Sequence, residues 1–173
     1  MNLTLMRKKT VASAKNFSFV SKALALPNGH RGTYLCVEHN GAAAVVPLLS
    51  KDKTILIRQF RIALEKYIWE IPAGSLEKGE KPEKCAKREL IEEIGYKAGA
   101  MKKLGTIYPA VGYSDEALHL YKATGLKKAK LMQEKDEIIE PKVFTKVQVR
   151  KMIRSGRIMD SKTISAFAMM GWV

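Results

Sequence analysis

The stretch GSLEKGEKPEKCAKRELIEEIGY, from Gly74 to Tyr96, decides how the rest of the chain is read. Its second half predicts a helix over Pro82 to Ile94. Proline is tolerated in a first helical turn, where its missing N–H would go unpaired anyway, and Gly95 suits the helix C-cap. Within that helix Glu89, Glu92 and Glu93 stand at i, i+3 and i+4, so they share one face. Ala86, Leu90 and Ile94 form an adjacent apolar stripe that can anchor the helix on a sheet. Carboxylates crowded in this way raise one another's pKa unless cations neutralise them. An oxygen-rich, thiol-free set suits Mg²⁺ or Mn²⁺. Such ions bridge phosphate oxygens and activate water. For the three glutamates alone, a solvated face paired with Lys84, Lys87 and Arg88 is the simpler account.

On the N-terminal side of this stretch the pattern is β-rich. Residues 16–26 and 32–39 read as strands around a turn at Pro27-Asn28-Gly29, since Asn-Gly tolerates the backbone of tight turns. AAAVVPLL and TILIRQF read as a hairpin across the polar turn at 50–53, and the sheet is expected to continue from Tyr67 to Ile71. On the C-terminal side, strands are expected near Gly105–Tyr108 and Ala117–Ala123. The charged segment Leu126–Pro141 reads as a loop. Helices are expected over Lys146–Arg154 and Ser161–Met170, broken at Gly156. Strands with a helix between them and helices last point to a layered α/β or α+β packing.

The chain has 173 residues, 46% of them hydrophobic, enough for one core with a small appended part. The longest apolar stretch, Ala42 to Leu49, contains Pro47 and is far short of the ~20 residues a membrane helix needs. The start, MNLTLMRKKT, has charges but no apolar run behind them, so a cytoplasmic location is expected. Cys36 and Cys85 make neither a zinc spacing nor a disulfide framework, which points to a reducing compartment. The net charge is +14, and no acid precedes Glu38. That excess attracts polyanions without choosing among nucleotides, nucleic acid and anionic lipid.

The full spacing of the opening stretch resembles the Nudix box, G-x5-E-x7-R-E-U-x-E-E-x-G-U with U bulky and apolar. Gly74, Glu80, Arg88, Glu89, Glu92, Glu93 and Gly95 fill its seven fixed positions, with Leu90 and Tyr96 at the two U positions. The resemblance implies an α/β/α sandwich and a hydrolase that cleaves a nucleoside diphosphate from some other moiety. It implies that Glu89, Glu92 and Glu93 hold divalent ions with help from the Ala73 carbonyl. Glu80 and Arg88 would orient that cluster. Gly74 would let the backbone turn ahead of the helix.

More of the chain is similar to one branch, the pyrophosphatases of ADP-ribose and nucleoside diphosphate sugars. The matching segments are Leu26–Gly29, Gly41–Val45, Arg58–Arg61, Trp69–Gly74, Gly112–Glu116 and Asp136–Glu140. In that branch an N-terminal β subdomain, here residues 1–40, swaps onto a partner beside the main domain, here 41–173, so a homodimer is expected. Arg61, in the position of the branch's Q-x-R arginine, would contact substrate phosphate, with Arg58 as a second candidate. Glu70 would accept from the base, and Phe19 or Phe17 would stack on it. Ser114 and Glu116 would lie near the second sugar or metal.

The catalytic base is expected to be a loop carboxylate, Glu137 first, with Glu140 and Glu134 as the other candidates. Glu93 is grouped with the catalytic set as well as the metal set. Val111 stands where ADP-ribose-specific members usually carry proline, and Pro109 lies two residues earlier. That departure widens the expected substrates to other nucleotide sugars. Removal of RNA 5′-end phosphates and a silent ADP-ribose sensor are the alternatives. The missing RNA module and the intact glutamates argue against them, and nucleic acid and membrane partners are not expected.

Overall fold

The computed structural model describes residues 2–132 and 138–173. In chain order its strands are β1 (Thr4–Ser13), β2 (Phe17–Ala25), β3 (Arg31–His39), β4 (Ala42–Ser50), β5 (Lys53–Arg61), β6 (Lys66–Glu70) and β7 (Ala73–Ser75). Helix α1 (Pro82–Ile94) follows, then β8 (Tyr96–Lys97), β9 (Ala100–Ile107), β10 (Leu118–Thr124), β11 (Lys127–Lys128) and β12 (Ile139–Thr145). Two helices close the chain, α2 (Lys146–Arg154) and α3 (Ser161–Met169).

The main sheet runs β12-β5-β4-β10-β9, with β6 added to β5 and β7 to β4. Strand β4 is buried on both faces, which is why its sequence is an unbroken apolar run. Ala42, Ala44 and Val46 face one core with Phe167, Val149 and Trp172 from the α2–α3 side. Ala43 and Val45 face the other core with Cys85, Ala86, Leu90 and Ile94 of α1. The result is the expected α/β/α sandwich. Helix α1 has the bounds that its proline and glycine predict, and Gly95 takes φ 67° as its cap.

Strands β4 and β5 are joined by the expected turn, yet they pair only beside it, at Leu48–Thr54 and Ser50–Lys53. Beyond that point they part. Strand β5 goes on with β12 and β6, while β4 goes on with β10 and β7. The gap between the far ends of β4 and β5 is where a polar cavity opens, with Ala42, Gln59 and Arg61 in its lining.

The segment Leu126–Pro141 is not all loop. It contributes β11 and the start of β12, an edge strand in which only Ile139 and Phe144 are buried. Pro141 fits there because an edge strand can spare an N–H. Strand β1 is a further addition, with all ten residues exposed. It lies antiparallel to β2, which pairs with β3, in a separate three-stranded sheet. That sheet meets the main body where Val37 bridges Ser114 and the His39 N–H donates to Asp115 Oδ1 at 2.8 Å. Glu38, the first acid in the chain, pairs with Lys8 at 2.5 Å and Lys22 at 2.9 Å. These two cations hold its carboxyl below the usual range. Among the described residues no helix is long and apolar enough to cross a membrane.

Candidate active site

Helix α1 lays its acidic face against β7. Glu89 and Glu93 are buried, at 6% and 2% exposure, because the same turns that present them also carry Leu90 and Ile94 into the core. The charge crowding is answered from within the helix. Arg88 Nη1 donates to Glu89 Oε1 at 2.6 Å and to Glu92 Oε2 at 2.8 Å. Its Nε and Nη2 reach the two oxygens of Glu80 at 3.2 and 3.1 Å. Burial alone would lower the Arg88 pKa, but this ring of carboxylates raises it, so the group stays fully charged. Glu80 in turn is held below its ordinary range by the Arg88 hydrogen bond. Glu93 Oε2 accepts from the Ala73 N–H at 3.0 Å, which ties β7 to the helix.

Gly74 is needed for space and not for a turn. It sits in strand β7 with an ordinary backbone, paired with Ala43. A Cβ there would stand 1.8 Å from Glu89 Oε1 and 2.3 Å from its carboxyl carbon. The glycine is the slot into which the Glu89 carboxylate fits. Beneath it the Cys85 thiol donates to the Gly74 carbonyl at 3.4 Å. Burial, then the Glu89 charge, push that thiol up to about 12. Cys85 therefore stays protonated and acts as packing and a weak donor.

A second charged network stands at the end of β5. Arg61 Nε and Nη2 grip the two oxygens of Glu70, each at 2.6 Å. Glu70 is fully buried and also accepts from Lys162 at the start of α3. Burial alone would raise its carboxyl, but the Arg61 fork and Lys162 outweigh it and hold the group below its ordinary value. Lys162 also donates to Asp160 Oδ1 at 3.0 Å, and Asp160 Oδ2 caps α3 at the Thr163 N–H. Thr163 Oγ1 then accepts from the Ile71 N–H at 2.9 Å, locking α3 onto the strand that carries Glu70.

Between the two networks lies a polar cavity of about 360 Å³. Of the residues predicted from sequence, Arg61, Ala73, Gly74, Arg88, Glu89, Glu92 and Glu116 line it. Glu93 and Glu80 stand behind Glu89 and Arg88, and Glu70 stands behind Arg61. Both Glu70 oxygens are committed to cations. Arg58 lies elsewhere, against the Tyr67 ring at 4.3 Å and Glu140 at 3.3 Å. Glu140 on β12 is exposed there. Ser114 Oγ accepts from the Glu116 N–H at 3.2 Å, in the loop that meets the N-terminal sheet. Val111 is 78% exposed in that loop. Phe19 is half-buried on β2, whereas Phe17 stacks on His39 with ring centroids 6.5 Å apart. Phe17 lines an adjoining cavity of about 200 Å³ that shares Lys15 and Asn16 with the first. Glu134 and Glu137 lie outside the described residues.

Sequence reasoning did not find Lys162, Gln59, Lys15 or Asn16, all of which line the main cavity. Lys162 and Glu70 are 92 positions apart, so no local spacing links them. Among the described residues no three His, Cys, Asp or Glu side chains already form a metal cage. In this structure the Arg88 guanidinium draws Glu89 and Glu92 together instead.

Comparison with known proteins adds four findings. The NUDIX domain model matches residues 38–163. An ADP-ribose pyrophosphatase of Bacillus subtilis is 38% identical over 161 residues, covering 92% of this chain and 87% of its own. A methanol dehydrogenase activator of Bacillus methanolicus is 38% identical over 169 residues, covering 94% of this chain and 91% of its own. Among solved structures, an ADP compounds hydrolase superposes with a TM-score of 0.84 at 24% identity, over 98% of this chain and 92% of that one.

Proposed function

Because the chain belongs to the Nudix family and is one of its hydrolases, we propose that it is a divalent-metal-dependent diphosphatase of nucleoside diphosphate sugars. ADP-ribose is the first substrate, split by water to AMP and ribose 5-phosphate. The observation that carries this reading is one cavity bounded by the α1 glutamates on one side and Arg61 on the other. The relative named ADP-ribose pyrophosphatase supports it along nearly the whole chain. Val111 in the exposed 109–116 loop extends the reading to ADP-glucose and GDP-mannose.

The donor set fits a hard divalent cation, Mg²⁺ with Mn²⁺ as a substitute. Glu89, Glu92 and Glu93 with the Ala73 carbonyl offer oxygen only. The space kept at Gly74 holds one of those carboxylates where the cavity can reach it. Arg88 already answers their charge, and its grip on Glu89 and Glu92 would loosen as a cation enters. When bound, the ion polarises the diphosphate and lowers the pKa of the attacking water.

The chain's own residues do the rest. Arg61 has Nη1 left for phosphate oxygens, because Glu70 occupies its Nε and Nη2. Held in that fork, its plane is fixed before substrate arrives, so charge developing on the diphosphate meets a donor already oriented. A carboxylate of the 134–140 segment, Glu137 first, takes the water's proton as the oxygen bonds to phosphorus. The bridging P–O bond breaks, and the electron pair leaves on the second phosphate.

The test is phosphate-coupled hydrolysis of ADP-ribose, ADP-glucose, GDP-mannose, NADH and triphosphorylated RNA, with and without Mg²⁺. Wild type is expected to turn over the sugars only with the metal. Glu93→Gln should lose at least about 100-fold in kcat, since even groups behind a metal ligand are worth 10- to 100-fold. Turnover of RNA alone would sink the sugar reading. Tight ADP-ribose binding without turnover would make the protein a sensor.

A second copy of the chain is the proposed cover for the N-terminal sheet. Leu3, Leu5, Met6, Val11 and Leu35 are each more than half exposed there, and β1 has no burial on either face. A sheet this small does not shield its own apolar side chains. Light scattering is expected to give twice the chain mass of 19.4 kDa. A single-chain mass, unchanged by Leu5→Lys, would remove the dimer from the account.

A further inference from the structure

One polar atom in the cavity wall has no answer within the fold. Gln59 lies on β5, two residues before Arg61, and is 7% exposed. Its strand neighbours across the sheet are Ile68 on β6 and Ile139 on β12, both buried and apolar. An apolar side chain would suit that position. Instead the chain carries an amide whose Oε1 is shielded from bulk solvent and has no hydrogen-bond partner among the described residues. Such acceptors are rare in folded proteins, because leaving one unpaired destabilises the molecule.

The cationic groups of Arg61 and Lys162 in the same wall turn to carboxylates and not to Gln59, and Arg61 Nη1, left over from these pairs, makes no hydrogen bond to it. Arg61 Nε and Nη2 converge on Glu70, and Lys162 serves Glu70 and Asp160. Yet Gln59 lines the catalytic cavity. A molecule that fills that cavity can therefore supply the donor the described residues do not. The acceptor's chemistry narrows the donor further. A neutral amide oxygen repels phosphate oxygens, which bring only lone pairs and negative charge. It pairs with a hydroxyl or an amino group. In a nucleoside diphosphate sugar, the hydroxyls next to the diphosphate are those of the sugars.

We propose that Gln59 Oε1 accepts a hydrogen bond from a sugar hydroxyl of the substrate, and that Gln59 sets which sugar the enzyme prefers. The inference rests on the diphosphatase reading for its substrate class. Its physical content is that the orphaned acceptor is a cost carried by the free protein and relieved by the right ligand. A site built around a hydroxyl rejects the analogue that lacks it, because the acceptor is then left buried and unpaired.

The experiment compares wild type, Gln59→Met and Gln59→Glu on ADP-ribose and ADP-glucose. Each substrate is set beside analogues lacking one sugar hydroxyl. Wild type is expected to favour the parent over one of these deoxy analogues by about 10- to 100-fold in kcat/KM. Gln59→Met removes the acceptor, so that ratio should fall to near one while the Tm of the ligand-free protein holds or rises. Gln59→Glu keeps an acceptor oxygen and should keep the preference. If Gln59→Met does not fold, Gln59→Asn, which withdraws the oxygen by one methylene, takes its place with the same expected loss of ratio.

An unchanged ratio in Gln59→Met, or a lowered Tm with every preference intact, would make Gln59 structural and overturn the proposal. Equal use of every deoxy analogue by wild type would also overturn it while the diphosphatase reading stands. If wild type hydrolyses no nucleotide sugar, that reading fails instead. The Tm gain given by methylene-bridged ADP-ribose, against its deoxy forms, then decides the role of Gln59.

Discussion

Gly74→Ala is expected to lower kcat/KM by about 100-fold or more while moving the melting temperature little. The added methyl carbon would stand 1.8 Å from Glu89 Oε1, so one of the two must give way. The strand is the stiffer partner. Gly74 is paired with Ala43 of β4, and its carbonyl accepts from the Cys85 thiol. The Glu89 carboxylate is the end of a flexible side chain beside a cavity, and it swings out. Stability changes little, because Arg88 keeps Glu80 and Glu92 and because alanine in an allowed strand conformation reduces the freedom of the unfolded chain. The active geometry is what is lost, since a displacement of ~1 Å at a reacting centre is enough for such a drop. Steady-state kinetics at saturating Mg²⁺ beside a thermal melt is the measurement. Activity within threefold of wild type would show that Glu89 has no role at the site.

The same residue marks the boundary of what the sequence could tell. The box spacing was legible because helical periodicity is local, and α1 has the predicted bounds. Gly74 was also legible as a required glycine. Its reason was not, because that reason is a carboxylate fifteen positions away approaching through the fold. Strand β1 left no periodic mark for a related cause. Alternation appears in a sequence only when one face is buried, and β1 buries neither. Strand β12 is nearly as silent, with two buried residues at its ends and a proline between them.

Among the site residues, Arg61 could be picked out by its motif, whereas the group that aims it could not. Glu70 lies nine positions away and Lys162 a further 92. Gln59 falls within the same segment, yet its sequence context assigns it no role, since an unpaired atom is a property of the packed structure. The N-terminal excess of positive charge was visible at once. Its partial resolution, two lysines closing on Glu38, required the β1–β2–β3 register.

The largest loss of stability is expected from Glu70→Gln, and its size should depend on pH in a defined direction. The mutation leaves the shape of the buried side chain and removes its charge, so Arg61 and Lys162 face each other without the carboxylate between them. Breaking a buried pair by removing one partner costs about 3–5 kcal/mol. The low end applies here, because the Arg61 side chain is 37% exposed and can recover water, and Lys162 keeps Asp160. For a chain of this length about 3 kcal/mol is a fall of roughly 6–12 °C in Tm.

Glu70 is held below its ordinary value in the folded protein. Its contribution is therefore complete above the unfolded-state pKa of about 4.3 and fades as pH falls through the lower folded value. The gap in Tm between wild type and Glu70→Gln should be constant from about pH 6 to pH 8 and should close on acidification below about pH 4. Scanning calorimetry of both proteins across that range reads the gap directly. A gap of the same size at every pH would mean that Glu70 contributes shape and hydrogen bonds but not charge, and the Arg61–Glu70–Lys162 network would no longer explain how Arg61 is held for phosphate.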